Sequence, residues 1–204
     1  MAGVFKRIIE TNDLLDGTYV EPFVGGGSVA LSLLLNDYVS RIVINDKDRS
    51  IFAFWHTVLN DAEWLCREVS DTPVDMDVWR RQKAVQANKE DADLRELGFS
   101  TFFLNRTNRS GIIKGGVIGG NDQTGNYLID ARFNKTDLVA RIERIAEYAD
   151  RIELHNEDAV DLLESTKDTM PPRTLYYLDP PYYEKGPGLY MNYFTEEDHR
   201  KIAE

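Results

Sequence analysis

The 204 residues, 42% hydrophobic and 29% charged, have the composition of a soluble globular protein with one sizeable core and room for an inserted subdomain. A single cysteine (Cys66) excludes an internal disulfide, the scattered His56, Cys66, His155 and His199 give no zinc-ligand spacing, and no apolar run reaches the roughly 20 residues that span a bilayer, so a cytoplasmic protein without structural metal or membrane contact is expected. The net charge of −11 weighs against nucleic acid unless positive charge is concentrated locally.

Thr18-Tyr19-Val20 predicts a short strand feeding the glycine turn Glu21-Pro22-Phe23-Val24-Gly25-Gly26-Gly27-Ser28, and Ser28 to Leu35 predicts a helix. Arg41-Ile42-Val43-Ile44 reads as a second buried strand ending at Asn45-Asp46. Residues 48–69 carry helical periodicity through Ile51, Phe52, Trp55, Val58, Leu59, Trp64, Leu65 and Val69. Strand, glycine turn, helix, strand, acid, helix is the alternation of a doubly wound α/β sheet.

The middle of the chain breaks that rhythm. Residues 71–97 are polar and helical in pattern, with Trp79 as an anchor. From Phe99 to Asn134 the composition shifts to Gly, Asn, Arg and Thr, and Gly115-Gly116 and Gly119-Gly120 flank Val117-Ile118, which suggests a hairpin or a mobile loop. Residues 95–141 hold seven basic side chains against four acidic ones, a basic island in an acidic body. Asp137 to Tyr148 is helical in spacing, then strand Arg151–Leu154, helix Ala159–Leu163 and strand Thr174–Leu178 resume the α/β order. A catalytic sheet domain over 1–60 and 146–204, with an inserted, mainly helical subdomain over 61–145, is the expected organisation. Thr195 to Glu204 starts a helix with a good N-cap and an acidic first turn, and the chain is expected to end inside it.

Two motifs carry chemistry. Gly25, Gly27 and Ala30 satisfy G-x-G-x-x-A, and Asp46 follows Gly27 by nineteen residues, where a carboxylate can accept hydrogen bonds from ribose hydroxyls. Nicotinamide and flavin sites share that pattern. Glu21-Pro22 beside the turn would repel a pyrophosphate but tolerate a cationic methyl donor, and Phe23 can pack beside a sulfonium. The second motif, Asp179-Pro180-Pro181-Tyr182, closes the apolar run Leu175-Tyr176-Tyr177-Leu178. Asp179 and the Pro180 carbonyl can each accept a hydrogen bond from an exocyclic amine, which leaves the nitrogen lone pair facing an electrophile. The prolines stiffen the turn, and Tyr182 can stack on a flipped-out base. A capped strand followed by a Pro-Pro stop is the plain structural alternative. Cys66, in Trp64-Leu65-Cys66-Arg67, lies at helical spacing rather than in a Pro-Cys turn, which disfavours carbon-5 cytosine chemistry.

These stretches, with Phe103-Leu104-Asn105-Arg106-Thr107-Asn108-Arg109-Ser110-Gly111 and Arg132-Phe133-Asn134-Lys135 between them, resemble the D12-class (Dam-like, alpha-group) DNA N6-adenine methyltransferases over nearly the whole chain. The resemblance implies a Rossmann-like S-adenosylmethionine-dependent methyltransferase sheet with an inserted target-recognition subdomain, acting on double-stranded DNA. It implies a catalytic Asp179, Pro180, Pro181 and Tyr182, and a donor site from Glu21, Pro22, Phe23, Gly25, Gly27, Asp46 and Asp158. Asp158 fits equally as the N-cap of the helix at 159, and one carboxylate can do both. DNA contacts are implied for Asn105, Arg106, Asn108, Arg109 and Lys114, with no metal, and with a cognate restriction endonuclease as a partner the family allows. The chain begins beyond the family's usual Gly-Gly-Lys segment and stops soon after Asp-Pro-Pro-Tyr, so an incomplete sheet is expected. A catalytically silent fragment that binds DNA or assembles with a partner chain is the second reading. A nicotinamide-dependent oxidoreductase is the third, and it leaves Asp179-Pro180-Pro181-Tyr182 unexplained.

Overall fold

The protein is described from a computed structural model over residues 2–180, so Pro181, Tyr182 and the helix expected over Thr195 to Glu204 lie outside the described residues. In chain order the elements are α1 (Ala2–Thr11), β1 (Gly17–Glu21), α2 (Ser28–Leu34), β2 (Val39–Asn45), α3 (Arg49–Asn60), α4 (Ala62–Asp71), α5 (Met76–Ala87), α6 (Leu94–Thr107), α7 (Lys135–Ala146), β3 (Ile152–His155), α8 (Ala159–Thr166) and β4 (Thr174–Tyr176). They fall into two compact units, one of Met1–Asp48 with the chain from Asp150 onward, the other Arg49–Ala149.

The first unit is the expected α/β layer. Among the described residues it has four strands, which run parallel in the order β3-β2-β1-β4. All five residues of β1 are buried, as a strand covered on both faces requires. Alternation along the strands sorts the two faces. Tyr19 and Tyr177 meet the Phe5 ring of α1 edge-on, with centroids at 6.2 and 4.6 Å. Val20 and Val43 pack with Leu162 of α8, joined by Tyr176 and Met170. Because the chain steps from β1 out to β2 and β3 and then returns to the far side of β1 as β4, the strand order reverses between β1 and β4. In open α/β sheets ligands bind at the carboxyl ends of the strands beside such a reversal. The pairing of Val20 with Tyr176, extended by a 2.9 Å bond from Tyr177 N–H to Val20 O, carries the end of β1 alongside the start of the Asp179-Pro180 segment.

The second unit is helical and is organised around α6, nine of whose fourteen residues are buried. Phe99, Phe102, Phe103 and Leu104 fill a core shared with Val58, Leu65, Val69, Val78, Phe133, Leu138 and Ile142. Two readings change in detail. The periodicity over 48–69 is split at Asp61, whose φ of −138° ends α3 and starts α4, and whose carboxylate is held by Arg95 at 2.6 Å. The helical pattern over 71–97 resolves into α5 and the start of α6, which runs on past the compositional shift at Phe99 to Thr107 on the strength of its aromatic face. Helix α3, which the alternation groups with the sheet, packs on α6.

Helices α3 and α6 touch at Gly98, where an added Cβ would stand 2.3 Å from Thr57 Oγ1 and 2.6 Å from Ala53 O. Alanine normally strengthens a helix interior by about 1 kcal/mol over glycine. Here overpacking should outweigh that gain, so Gly98→Ala is expected to destabilise by roughly 1–3 kcal/mol. A urea melt with a raised midpoint would contradict this packing.

Candidate functional site

At the carboxyl ends of β1 and β2 the chain makes a tight loop. Gly25 and Gly27 have φ of +46° and +60°, which a side chain at either position would strain. Val24 N–H donates to Asn45 O at 2.9 Å and Gly27 N–H to Val24 O at 2.7 Å, folding Pro22 to Gly27 back over the strand ends. Asp46 pins the turn from below, because Oδ2 accepts from Gly25 N–H at 3.0 Å while Oδ1 accepts from Asp48 N–H at 2.9 Å.

The residue that ties this edge together was quoted in the sequence only as the end of a strand. Asn45 is fully buried, and its amide nitrogen donates to Pro22 O at 2.9 Å and to Glu157 O at 3.1 Å, while its oxygen accepts from Glu157 N–H at 2.9 Å. One carboxamide therefore fixes the loop after β1 against the loop after β3. The sequence signal that could have found it is a carboxamide closing the apolar run Ile42-Val43-Ile44.

Glu21 ends β1 with 5% of its surface exposed, and its Oε2 is buried without a hydrogen-bond partner. Burial raises its carboxyl to about 7, the Ala30 amide and the Tyr19 hydroxyl oppose the rise, and the charge of Asp179 adds to it. Asp179 itself is exposed and Pro180 half-buried, beside the β1 terminus. Tyr19, two residues back along the strand, has its hydroxyl buried beside Glu21, and burial together with the Glu21 charge drives its pKa upward. Asp158 does what an N-cap does: Oδ1 accepts from Val160 N–H at 3.0 Å, and Oδ2 pairs with Lys47 Nζ at 2.7 Å. Glu21 closes β1, and Pro22, Phe23, Gly25, Gly27, Asp46, Asp158, Asp179 and Pro180 follow strand ends at the same end of the sheet.

The remaining predicted residues lie in the helical unit. Asn105, Arg109 and Lys114 are exposed. Arg106 is half-buried, and its guanidinium donates twice to Arg132 O, at 3.1 and 3.0 Å. Burial and the neighbouring charges of Arg132 and Arg141 lower its pKa. Arg132 in turn reaches Asn105 O at 3.1 Å, so the basic residues are organised as a set. Asn108 is the correction. It is fully buried, accepts from Trp79 Nε1 at 2.7 Å and donates to Ile112 O and Ile113 O at 2.9 Å each, so its side chain braces the loop and does not face outward. The hairpin suggested around Val117 takes a minimal form, a single antiparallel bridge between Asn108 and Val117.

The profile of the D12 class N6 adenine-specific DNA methyltransferases matches residues 1–204. The chain belongs to that family. Among curated proteins it is 25% identical over 191 residues to the Type II methyltransferase M.MjaIII of Methanocaldococcus jannaschii, covering 88% of this chain and 63% of the relative, so the chain spans less than two thirds of that protein's length. The parallel four-stranded sheet accords with the Rossmann-like methyltransferase fold expected of a D12-class member. Methyltransferases of this family generally use S-adenosylmethionine, which is cationic at sulfur and at its amino group. The unpartnered, buried Glu21 Oε2 beside the glycine loop fits such a ligand, since a buried carboxylate is stabilised by an adjacent positive charge. Among the described residues no group of His, Cys, Asp and Glu could hold a metal, and no helix is long and apolar enough to cross a membrane.

The raised Glu21 pKa has a stability consequence. In the folded chain the carboxyl holds its proton up to about pH 7, whereas the unfolded chain releases it near 4.5. Its contribution is fully present below about pH 4.5 and is lost as the pH rises through 7, a loss of about 3 kcal/mol. Glu21→Gln should therefore raise the stability of the ligand-free protein at pH 8 and leave it nearly unchanged at pH 4.5. Equal gains at the two pH values in thermal melts would contradict a buried ionisable Glu21.

Proposed function

We propose that this chain transfers the methyl group of S-adenosylmethionine to the N6 nitrogen of an adenine extruded from duplex DNA. One observation carries the reading. The glycine loop with its buried Glu21 and the Asp179-Pro180 segment end adjacent parallel strands where the strand order reverses. A cationic donor and an amine acceptor are the ligand pair that such neighbours suit.

Residues of the loop would hold the donor, with Phe23, Gly25 and Gly27 lining it, Glu21 facing its positive charge, Asp46 at its ribose and Asp158 at its adenine amine. When bound, S-adenosylmethionine supplies an electrophilic methyl group. Asp179 accepts one N6–H and the Pro180 carbonyl the other, which draws the lone pair out of conjugation with the ring. Pro181 and Tyr182 would complete the turn and stack on the base. Positioning of this kind supplies much of the rate in a direct displacement. In the helical unit, Asn105, Arg109 and Lys114 would meet the duplex from the surface, and Arg106 and Arg132 would order the segment that carries them. The Type II designation of the archaeal relative supports a cognate restriction endonuclease as partner.

Asp179→Ala is expected to abolish methyl transfer while the affinity for S-adenosylmethionine stays within about twofold, since its hydrogen bond is made to the base and appears in the transition state. Loss of donor binding, or undiminished transfer, would remove Asp179 from the proposed role. Arg109→Ala should weaken duplex binding and reduce the log–log salt slope by about one. An unchanged slope would show that Arg109 makes no phosphate contact.

A further inference from the structure

The helical unit presents a feature that the donor and base sites leave unused. Among its described residues two large hydrophobic side chains are exposed, and they are adjacent: Tyr127 at 74% and Leu128 at 46%. Scattered exposed apolar residues are ordinary. These two differ because the loop beneath them is tied shut. Gln123 Nε2 donates to Ile118 O at 2.8 Å and Gly120 O at 2.7 Å, and its Oε1 accepts from Ile129 N–H at 2.8 Å. Gly125 N–H closes onto Gly119 O at 3.1 Å.

The two strands of the loop approach so closely that a Cβ on Gly119 would stand 2.8 Å from Tyr127 O, and one on Gly125 2.9 Å from Gly119 Cα. Ile129 and Phe133, 6% and 7% exposed, anchor the far side in the core. The Tyr127-Leu128 tip is thus held outward by its base. Arg109 brings a positive charge to that base, donating from Nε to Val117 O, with its Nη2 3.9 Å from where a Gly120 side chain would start. Residues 105–132 carry Arg106, Arg109, Lys114 and Arg132 against Asp122 and Asp130, in a chain whose net charge is −11.

An aromatic and an aliphatic side chain on a hydrogen-bonded loop, with Arg109 at its base, match the stacked bases of a duplex flanked by phosphates. Apolar side chains of this kind enter base steps and unstack them, and aromatic rings stack on exposed bases. We propose that Tyr127 and Leu128 form a wedge that enters duplex DNA, and that Gln123 is the positioning residue that holds the wedge outward. The inference rests on the DNA reading above.

The test uses the full chain and a fluorescently end-labelled 20–30 bp duplex, read by anisotropy at several salt concentrations and by end-to-end energy transfer for bending. The wedge acts through stacking rather than charge. Tyr127→Ser with Leu128→Ser should therefore lower affinity on the order of 10-fold at every salt concentration, leave the salt slope unchanged and abolish bending. Tyr127→Phe should behave like the parent, and Gln123→Ala should reproduce much of the loss with both wedge side chains present. Binding and bending by the double variant equal to the parent's would overturn the wedge while leaving methylation of DNA standing. A parent chain that binds no duplex even at low salt would sink both. Concentration-dependent self-association that the double variant loses, with DNA binding intact, would assign the pair to contact with a second copy and overturn the proposal.

Discussion

The end of the sheet is shaped by the Asn45 carboxamide. A side chain buried to this extent must satisfy its polar atoms internally, and Asn45 does so by binding the Pro22 carbonyl and both backbone groups of Glu157. Each loop would otherwise leave a backbone group unpaired at the strand ends, at about 1–3 kcal/mol apiece. Because Asp46 follows directly and binds Gly25 N–H, the position of the glycine turn is inherited from the same short stretch of β2. The loop that follows Glu21 and the loop that carries Asp158 are therefore placed by the end of β2, which carries neither residue.

The same edge is also where the fold tolerates unfavourable electrostatics. Glu21 is buried without a partner for one oxygen, next to a second carboxylate at Asp179, and the Tyr19 hydroxyl is buried beside it. The cationic donor proposed above would relieve the cost of burying the Glu21 carboxylate. In the helical unit the comparable arrangement is the crowding of Arg106 with Arg132 and Arg141, mutual repulsion that an anion such as a phosphate would relieve.

Much of this was legible in the sequence where the signal was local. Apolar runs such as Ile42-Val43-Ile44 and Leu175-Tyr176 mark parallel strands, the first buried and the second half-buried, and Gly25-Gly26-Gly27 marks a turn that needs positive φ, so the α/β order and the loop positions followed directly. What was not legible depended on long-range packing. The break at Asp61 is fixed by Arg95, some thirty residues away, and the continuation of α6 past Phe99 is fixed by aromatic residues whose partners lie on α3, α4 and α7. Asn108 sits in the motif that suggested DNA contact, yet its burial against Trp79 shows that a motif can be shared between residues that face a ligand and residues that hold the others in place. Arg132 shows the converse: it lay in a recognised motif without an assigned job, and its hydrogen bonds to Asn105 and Asn108 supply one.

The most direct test of the account is the identity of the methylated nucleoside. Unmethylated duplex DNA of mixed sequence, incubated with the 204-residue chain and S-adenosylmethionine carrying a labelled methyl group, is digested to nucleosides and resolved by mass spectrometry. The account predicts label in N6-methyldeoxyadenosine alone. Label on cytosine, or no label from a chain shown to bind both donor and duplex, would contradict it.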